Sequence, residues 1–488
     1  TQAAARLRPL DAGSPLAASH NTRYPIAQGP MTRVSDRAEF ALHVAEGGGL
    51  PFVALALLRA PEVEALLDET RRRLDGRPWG VGILGFVPQA LRQEQLEVVR
   101  RFRPAYALIA GGRPDQARRL EAEGIATYLH VPSPGLLRLF LQDGERRFVF
   151  EGRECGGHVG PRSSFVLWDT MVDVLLEALP AAEAADCHIL FAGGLHDQLS
   201  AAMLATLAAP LAERGVRLGV LMGTAYLFTR EAVSSGAIGP RFQQEALRGE
   251  GTVLVESGPG YATRCLPSPF VEVFNRERQR LRQEGRPAEE IRNTLEELNV
   301  GRLRLASKGL TRHPGYEQDP TGPKYRTVDE AEQYRDGMYM IGQVAALRRQ
   351  VTTIADLHHD VAVEGTRRLA AFSPAAAPAE PAARPAQIAI VGMSALLPKA
   401  RSLREFWANI LNKVEAIQPV PRERWDADLY YDPDRSAADK IYSRAGGFLD
   451  DLPFDPLEFG IPPASLPSID PLHLLGLLAA RDALAAAG

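Results

Sequence analysis

The sequence predicts an α/β fold, a (β/α)8 TIM barrel, for the larger part of the chain. Eight short apolar runs recur at a spacing of roughly 20–40 residues, and helical patterns lie between most of them. Continuous apolar strands that alternate with helices are typical of a parallel sheet covered by helices, and eight is the number that closes a barrel. Glycines cluster after the seventh and eighth runs, where barrels often bind phosphate. A doubly wound open sheet is the alternative architecture.

The eight runs are Pro25–Gln28, Pro51–Leu57, Gly80–Leu84, Ala105–Ile109, Ala126–His130, Phe148–Phe150, His188–Ala192 and Arg217–Met222. Three of the intervening helical segments, Pro61–Leu74, Pro114–Glu123 and Pro134–Gln142, begin with Pro, which is favoured in the first turn of a helix. The first of them places its apolar side chains on one face, as a helix that covers a sheet requires. We assign the barrel to residues 20–240.

Residues 241–371 contain helical patterns and few strand patterns, which predicts a mostly helical subdomain on the substrate side of the barrel mouth. Its predicted helical segments are Phe274–Gln283, Pro287–Leu298, Val328–Arg349 and Thr353–Ala371. A capping box from Thr327 to Glu330 is expected to start the third. Residues 372–386 are rich in Pro and Ala and predict a semi-rigid linker. Residues 387–488 form a separate C-terminal piece.

The composition is that of an ordinary globular protein. The net charge of −4 gives no basic excess for nucleic acid or anionic lipid, so we expect no nucleic-acid partner and no membrane association. No apolar run approaches the ~20 residues of a membrane helix, and the N-terminus lacks the apolar region of a signal peptide. Three scattered cysteines fit a cytoplasmic location. Because the first residue is not Met, we expect a processed chain or an excerpt of a longer one.

The segments that follow the predicted strands carry the candidate chemistry, because barrels place their sites at the carboxyl ends of strands. The first run ends in Gln28-Gly29-Pro30-Met31, and Gly193-Gly194 and Gly223-Thr224 follow the seventh and eighth runs. Glycines without a Cβ let backbone N–H groups approach phosphate oxygens. The paired glycine motifs predict a phosphate site, although ordinary turns also need glycine.

The sixth run is followed by Glu151-Gly-Arg-Glu-Cys-Gly-Gly-His158-Val-Gly160. The glycines around His158 leave its side chain little to pack against, so we expect it to project into the barrel mouth. An imidazole titrates near neutral pH and is suited to proton transfer; a structural histidine is the alternative. The sequence has no zinc-ligand spacing, G-x-S-x-G elbow or P-loop.

Four motifs in order carry a resemblance to a known family. Residues 25–31 (PIAQGPM), 151–160 (EGRECGGHVG), 192–194 (AGG) and 222–224 (MGT) resemble the nitronate monooxygenase/flavin-dependent enoyl-reductase superfamily, whose members are FMN-binding (β/α)8 barrels. Residues 256–265 (ESGPGYATRC) and 298–309 (LNVGRLRLASKG) are similar to the enoyl reductases of polyunsaturated-fatty-acid and polyketide synthases.

The resemblance implies roles for particular residues. It assigns the FMN phosphate to Gly193, Gly194, Gly223 and Thr224, places Pro30 and Met31 along the flavin, and places His158 near the reactive face as the catalytic residue. It implies that the remaining cofactor-site residues are Gln28, Gly29, Gly82, Glu151, Gly156 and Gly157. Two positions depart from the family: Gly82 stands where many members have a flavin-contacting Asn, and Cys155 replaces an Ala. Cys155 is expected to be a small-residue replacement, with a redox-active thiol as the alternative.

The C-terminal piece has a resemblance of its own. Residues 388–394 (IAIVGMS), 406–409 (FWAN), 446–449 (GGFL) and 469–471 (IDP) look like the start of a type I ketosynthase, a thiolase-fold condensing domain. Residues 387–488 contain no Cys, so we interpret them as a partial ketosynthase without its nucleophile and expect no condensation chemistry there. We also expect uncovered apolar faces at Ile388–Val391 and Leu472–Leu484.

Three functions stay open at this stage. The favoured one is an FMN-dependent enoyl reductase that takes electrons from NADPH or NADH and acts on an enoyl thioester of an acyl carrier protein, as a homodimer within a polyketide synthase. The second is nitronate oxidation with FMN and O2, and the third is a flavin-binding docking module without catalysis. The Arg-rich stretch Arg276–Arg286 is either a solvated face or a contact for an acidic carrier protein.

Overall fold

Eight parallel strands form a closed barrel, as the sequence predicts. The computed structural model describes residues 1–85, 87–316, 322–372, 389–434, 437 and 439–488. The barrel strands, first to eighth, are Ile26–Gln28, Leu50–Ala54, Gly80–Leu84, Tyr106–Ala110, Ala126–His130, Arg147–Glu151, His188–Ala192 and Arg217–Met222. Pairing of Ile26 with Val220 closes the sheet between the first and eighth strands. The TIM-barrel prediction is confirmed.

Helices follow the first seven strands and cover the outside of the barrel. They are Ala38–Glu46, Ala60–Leu74, Gln89–Phe102, Pro114–Glu121, Pro134–Gln142, Ser164–Ala178 and Gln198–Leu207. Their apolar faces join the outward-facing strand residues in one large core. A second core fills the barrel itself and includes Phe52, Tyr128 and Leu190. The short helices Gln2–Leu7 and Pro15–His20 precede the barrel, and His20 contacts the first residues of several strands at the amino end.

The last helical segment completes the barrel. This segment is one continuous run of helix. It is α-helical over Ile354–His359, π-helical over Asp360–Glu364 and again α-helical over Gly365–Ala371. It packs between the first barrel helix, Ala38–Glu46, and the seventh, Gln198–Leu207. Residues between the eighth strand and this segment are therefore an insertion between a strand and its helix, whereas the sequence placed the segment in the appended subdomain.

Helices make up most of the insertion, and four short strands lie among them. Its α-helices are Arg230–Ser234, Pro240–Arg248, Pro269–Gln283, Ala288–Asn299, Arg302–Lys308 and Glu330–Asp336. It also contains the antiparallel strands Val253–Gly258 and Tyr261–Cys265, and a pair formed by Leu310–Arg312 and Tyr325–Thr327. The sequence missed these strands because their residues neither form a continuous apolar run nor alternate strictly between apolar and polar.

The predicted helix Val328–Arg349 is wrong in extent. The observed helix ends at Asp336, and a short 3-10 turn follows only at Gln343–Ala346. At Gly337 the chain turns into an extended segment that packs closely, since a Cβ there would lie 2.4 Å from the Gln333 carbonyl oxygen. The helix is capped by Asp329, whose carboxylate accepts the Glu332 N–H at 2.7 Å, rather than by the predicted Thr327 box.

The chain divides into two units, Thr1–Pro374 and Ala375–Gly488. Of the predicted linker 372–386, all but Phe372 lies outside the described residues. The second unit contains helices Leu403–Leu411, Ala427–Tyr430 and Pro471–Ala487, and a two-stranded pair of Ile417–Pro419 with Ala445–Gly447.

Two segments of the second unit carry the apolar faces that the sequence expects to be uncovered. Ile390 and Val391 are exposed in the first, and Leu472 and Leu484 in the second. Ile388 lies outside the described residues. Within the described parts of both units, no helix is long and apolar enough to cross a membrane.

Candidate active site at the carboxyl end of the barrel

A cavity of about 690 Å3 lies at the carboxyl ends of the barrel strands. It is lined by eleven of the predicted site residues: Gly29, Pro30, Met31, Glu151, Gly156, Gly157, His158, Gly193, Gly194, Gly223 and Thr224. Apolar side chains including Leu108 and Leu221 contribute to the same lining. Its size lies in the range of small-molecule and cofactor sites.

Gln28 and Gly82 are not among the residues that line the cavity; both lie next to residues that do. A Cβ on Gly82 would lie 2.1 Å from the Cβ of Pro30, so the glycine leaves room for the Pro30 ring. Gln28 is fully buried, and its Nε2 donates to the Gly29 carbonyl oxygen. Its Oε1 is buried without a hydrogen-bond partner among the described residues. A buried amide oxygen without a partner costs free energy, but this one is not accessible from the cavity.

The seventh and eighth strands end in glycines, so no side chain covers the backbone there. Gly193 and Gly194 have φ of +104° and +83°, in the region that favours glycine. A Cβ on Gly193 would lie 2.4 Å from Ser164 Oγ, so only glycine fits beside that side chain. A Cβ on Gly223 would instead face the cavity, 3.5 Å from Met31 Sδ. This geometry leaves backbone N–H groups accessible to an anion.

The loop that carries His158 is held by the insertion. Residues Gly157–His158 form a two-residue strand that pairs with Tyr261–Cys265. The Val159 N–H donates to the Ala262 carbonyl oxygen at 3.0 Å, and the buried Arg264 guanidinium donates twice to the Arg153 carbonyl oxygen. The His158 side chain stays exposed and faces the cavity. A fixed backbone with a free imidazole is suited to a group that donates or accepts a proton from a substrate.

Glu154 ties this loop to the barrel. Its carboxylate accepts hydrogen bonds from the Ser164 N–H at 2.7 Å and from the Ser164 hydroxyl. Its carbonyl oxygen accepts the Gln343 N–H, and the neighbouring Gly342 N–H donates to Thr224 Oγ1 at 2.8 Å. The loop after the sixth strand, the end of the eighth strand and the extended segment around Gly342 therefore form one hydrogen-bonded rim.

Sequence reasoning missed several residues of the cavity. His130, the last residue of the fifth strand, lies with its Nε2 3.4 Å from Glu151 Oε2, and both line the cavity. Its position at a strand end was the available signal. Tyr261 and Arg292 also line the cavity, with the guanidinium 5.2 Å from the ring centroid. Met340 and others come from the extended segment that the sequence assigned to a helix.

Cys155 is buried, and its thiol donates to the His158 carbonyl oxygen at 3.4 Å. Burial raises the pKa of this thiol well above its usual value, and the nearby Glu151 carboxylate adds to the rise. Since the thiolate is the reactive form, this environment favours the small-residue interpretation over a redox-active thiol.

The residues of the cavity fit FMN. The glycine-rich ends of the seventh and eighth strands suit its phosphate, and the apolar lining of Pro30, Met31 and Leu221 suits an aromatic ring system.

The second unit is recognised by a family comparison. Residues 386–488 match the family model described as beta-ketoacyl synthase, N-terminal domain. We refer to these residues as the ketosynthase segment. They are 45% identical over 102 residues to polyketide synthase PksL of Bacillus subtilis, and 40% identical over 106 residues to polyketide synthase PksN of the same organism. These matches cover 21% and 22% of this chain, and each spans only 2% of the relative's own length.

The barrel unit is similar in fold to several solved structures. FabK from Thermotoga maritima aligns over 72% of this chain and 96% of its own, with a TM-score of 0.56 and 22% identity. Nitroalkane oxidase from Streptomyces ansochromogenes aligns over 73% and 100%, with a TM-score of 0.52 and 18% identity. The enoyl reductase domain of MlnA from Bacillus amyloliquefaciens aligns over 73% and 97%, with a TM-score of 0.50 and 13% identity. At these identities the likeness establishes the fold.

Proposed function

We propose that the barrel unit binds FMN and reduces enoyl thioesters carried by an acyl carrier protein, with NADPH or NADH as the reductant. The observation that carries the proposal is the cavity at the carboxyl end of the barrel, with glycine-rich ends on the seventh and eighth strands and an exposed imidazole at its mouth. The ketosynthase segment in the same chain supports a thioester substrate, because ketosynthases act on acyl thioesters. The fold shared with FabK and the MlnA domain agrees with this choice.

Bound FMN would supply the hydride donor and acceptor for this chemistry. Backbone N–H groups of Gly193, Gly194, Gly223 and Thr224 would bind its phosphate, and Pro30 and Met31 would pack along its ring. The rim formed by Glu154, Gly342 and Thr224 would fix the loops around it.

Reduction of an enoyl thioester adds a hydride at the β-carbon and a proton at the α-carbon. In this proposal His158 donates that proton or hydrogen-bonds to the thioester carbonyl. Its fixed backbone and its position on the cavity lining support this role. His130, paired with Glu151, is the other imidazole on the cavity. Because both histidines line the cavity, substitution of His130 is a control for substitution of His158.

The experiment is anaerobic reduction of the flavin in the full chain, followed by crotonyl thioester. We expect rapid reoxidation in the wild type. His158→Ala should keep the flavin and lose about 10²–10⁴-fold in reoxidation rate, the usual contribution of a general acid. His130→Ala, which removes an imidazole from the same cavity, should lose much less.

Parallel measurement of O2 uptake on propyl nitronate separates the alternatives. Fast nitronate turnover without thioester turnover would replace the proposal with nitronate oxidation. Bound flavin with neither activity would favour a docking module. A His158→Ala rate equal to wild type would assign the proton transfer to another group.

A further inference from the structure

A second and larger depression lies between the barrel loops and the insertion. This groove has a volume of about 1130 Å3 and is rich in arginine, so we call it the arginine groove. Its basic lining residues are Arg33, Arg59, Arg276, Arg280, Arg302, Arg304, Arg312 and Lys324. Its acidic lining residues are Glu62, Glu277 and Glu297. The excess of positive charge favours an anionic ligand.

Part of this charge is neutralised within the protein. Arg280 pairs with Glu277 at 2.6 Å, Lys324 with Glu62 at 3.1 Å, and Arg59 with Glu94 at 2.8 Å. Within the described part of the chain, these pairs use two of the three carboxylates that line the groove.

Three other arginines lack such pairs. Among the described residues, no carboxylate lies within 4 Å of the guanidinium nitrogens of Arg33, Arg276 or Arg304. Arg304 lies over the Tyr325 ring at 4.3 Å from its centroid, and its Nε is buried without a hydrogen-bond partner. Burial lowers the pKa of the Arg304 guanidinium, and the nearby positive charge of Arg33 lowers it further. An arginine stays protonated even so, and a bound anion would relieve this repulsion.

The groove and the active-site cavity share two stretches of chain. In residues 31–34, Thr32 and Val34 line the cavity and Arg33 lines the groove. In residues 302–305, Leu303 lines the cavity while Arg302 and Arg304 line the groove. Adjacent Cα atoms are about 3.8 Å apart, so the two spaces are separated by single stretches of backbone. The groove therefore lies directly beside the cavity.

We propose that the arginine groove binds a phosphate ester group of the ligand whose reactive end enters the cavity. The inference rests on the proposed function, because it identifies the ligand as a substrate or reductant of that cavity. Guanidinium groups bind phosphate oxygens bidentately through charge-assisted hydrogen bonds. Two sources share this chemistry: the phosphate of a phosphopantetheine arm that carries the thioester, and the ribose phosphate that distinguishes NADPH from NADH.

The test measures equilibrium binding of two matched pairs of ligands to the full chain. One pair is pantetheine and 4′-phosphopantetheine; the other is NAD+ and NADP+, which differ by the same ribose phosphate as NADH and NADPH and do not reduce the flavin. Arg33→Gln and Arg276→Gln remove charge from the groove. Arg282→Gln is the matched control, since Arg282 lies on the same helix as Arg276, is exposed and does not line the groove.

In the wild type, the phosphorylated member of one pair should bind at least about tenfold more tightly than its partner, the effect of one or two charge-assisted hydrogen bonds. Arg33→Gln and Arg276→Gln should each reduce this advantage several-fold, and Arg282→Gln should leave it unchanged. The pair that shows the advantage identifies the source of the phosphate.

Absence of a phosphate advantage in both pairs would overturn the proposal, as would an advantage that survives in both groove variants. Because binding is measured without turnover, this result is independent of whether crotonyl thioester reoxidises the flavin. A failed thioester reaction with an intact phosphate advantage would refute the proposed reaction and retain the anion site.

Discussion

The barrel unit and the ketosynthase segment have similar apolar character but bury it very differently. In the barrel, large side chains such as Phe52, Phe148 and Tyr128 are fully buried. Among the described residues of 389–488, only Ala400 and Leu478 are buried apolar residues, whereas Ile390, Leu472 and Leu484 are 81%, 71% and 74% exposed. Apolar content alone therefore does not produce a core; the elements must also enclose one another.

The helix Pro471–Ala487 illustrates the difference. It is as apolar as the barrel helix Ser164–Ala178, yet it buries a single apolar residue while the barrel helix buries a full face. At about 25 cal/mol per Å2 of apolar surface, that difference amounts to several kcal/mol for one helix. Exposed apolar surfaces of this kind are typical of interaction sites. The comparison predicts one unit that is stable by itself and one that depends on further contacts.

Limited proteolysis of the full chain should give the largest contrast. We expect cleavage within 373–386, rapid loss of 387–488 and survival of the barrel unit, because protection follows the amount of buried structure. Gel electrophoresis and mass spectrometry of a time course give the measurement. A protease-resistant 387–488 fragment that stays monomeric would contradict the comparison and identify a complete domain.

Flavin retention should respond to a substitution in the barrel unit and not to one in the ketosynthase segment. The Asp carboxylate in Gly223→Asp would face the cavity near the proposed phosphate. Two like charges about 5 Å apart at an effective dielectric of about 20 repel by about 3 kcal/mol, about a hundredfold in Kd. Gly223→Asn has the same shape without the charge and should retain most of the FMN. Leu484→Ser in the ketosynthase segment should leave retention unchanged. Equal retention by the Asp and Asn variants would place the phosphate elsewhere.

The sequence predicted the barrel because each strand is a continuous apolar run, and four strands, such as Gly80–Leu84, have the predicted bounds. The strand-end motifs stand out because they follow predicted strands, and the family resemblance implies their roles at FMN. What the sequence could not predict depends on distant contacts. The strand at Gly157–His158 exists only because Tyr261–Cys265 pairs with it. Met340 reaches the cavity only because Gly337 ends a helix. His130 carries no local motif, and its pairing with Glu151 becomes visible only in the structure.

The pH dependence of stability should show a smaller effect, confined to the barrel unit. His358 is fully buried; its ring nitrogens lie 2.8 Å from the Gly47 carbonyl oxygen and 2.6 Å from the Tyr226 hydroxyl. Burial lowers its pKa to about 4. The neutral form is thus favoured in the folded state, so its contribution is complete above the unfolded pKa of about 6.5 and is lost as pH falls from there toward 4.

The expected loss from His358 is about 2 kcal/mol between pH 7 and pH 5. Urea unfolding of the wild type and His358→Asn at both pH values measures it. The variant should be less stable at pH 7 but should lose about 2 kcal/mol less on acidification. His20 and His188, whose pKa values burial lowers to about 3, should still contribute in the variant. An unchanged pH dependence would show that His358 is not buried in its neutral form.

The central claim is that the cavity at the carboxyl end of the barrel is an FMN site, and the flavin content of the purified full chain tests it most directly. The account predicts a yellow protein with one FMN per chain, held non-covalently and released as FMN on boiling. A colourless protein that takes up no added FMN, or one that releases FAD, would contradict it.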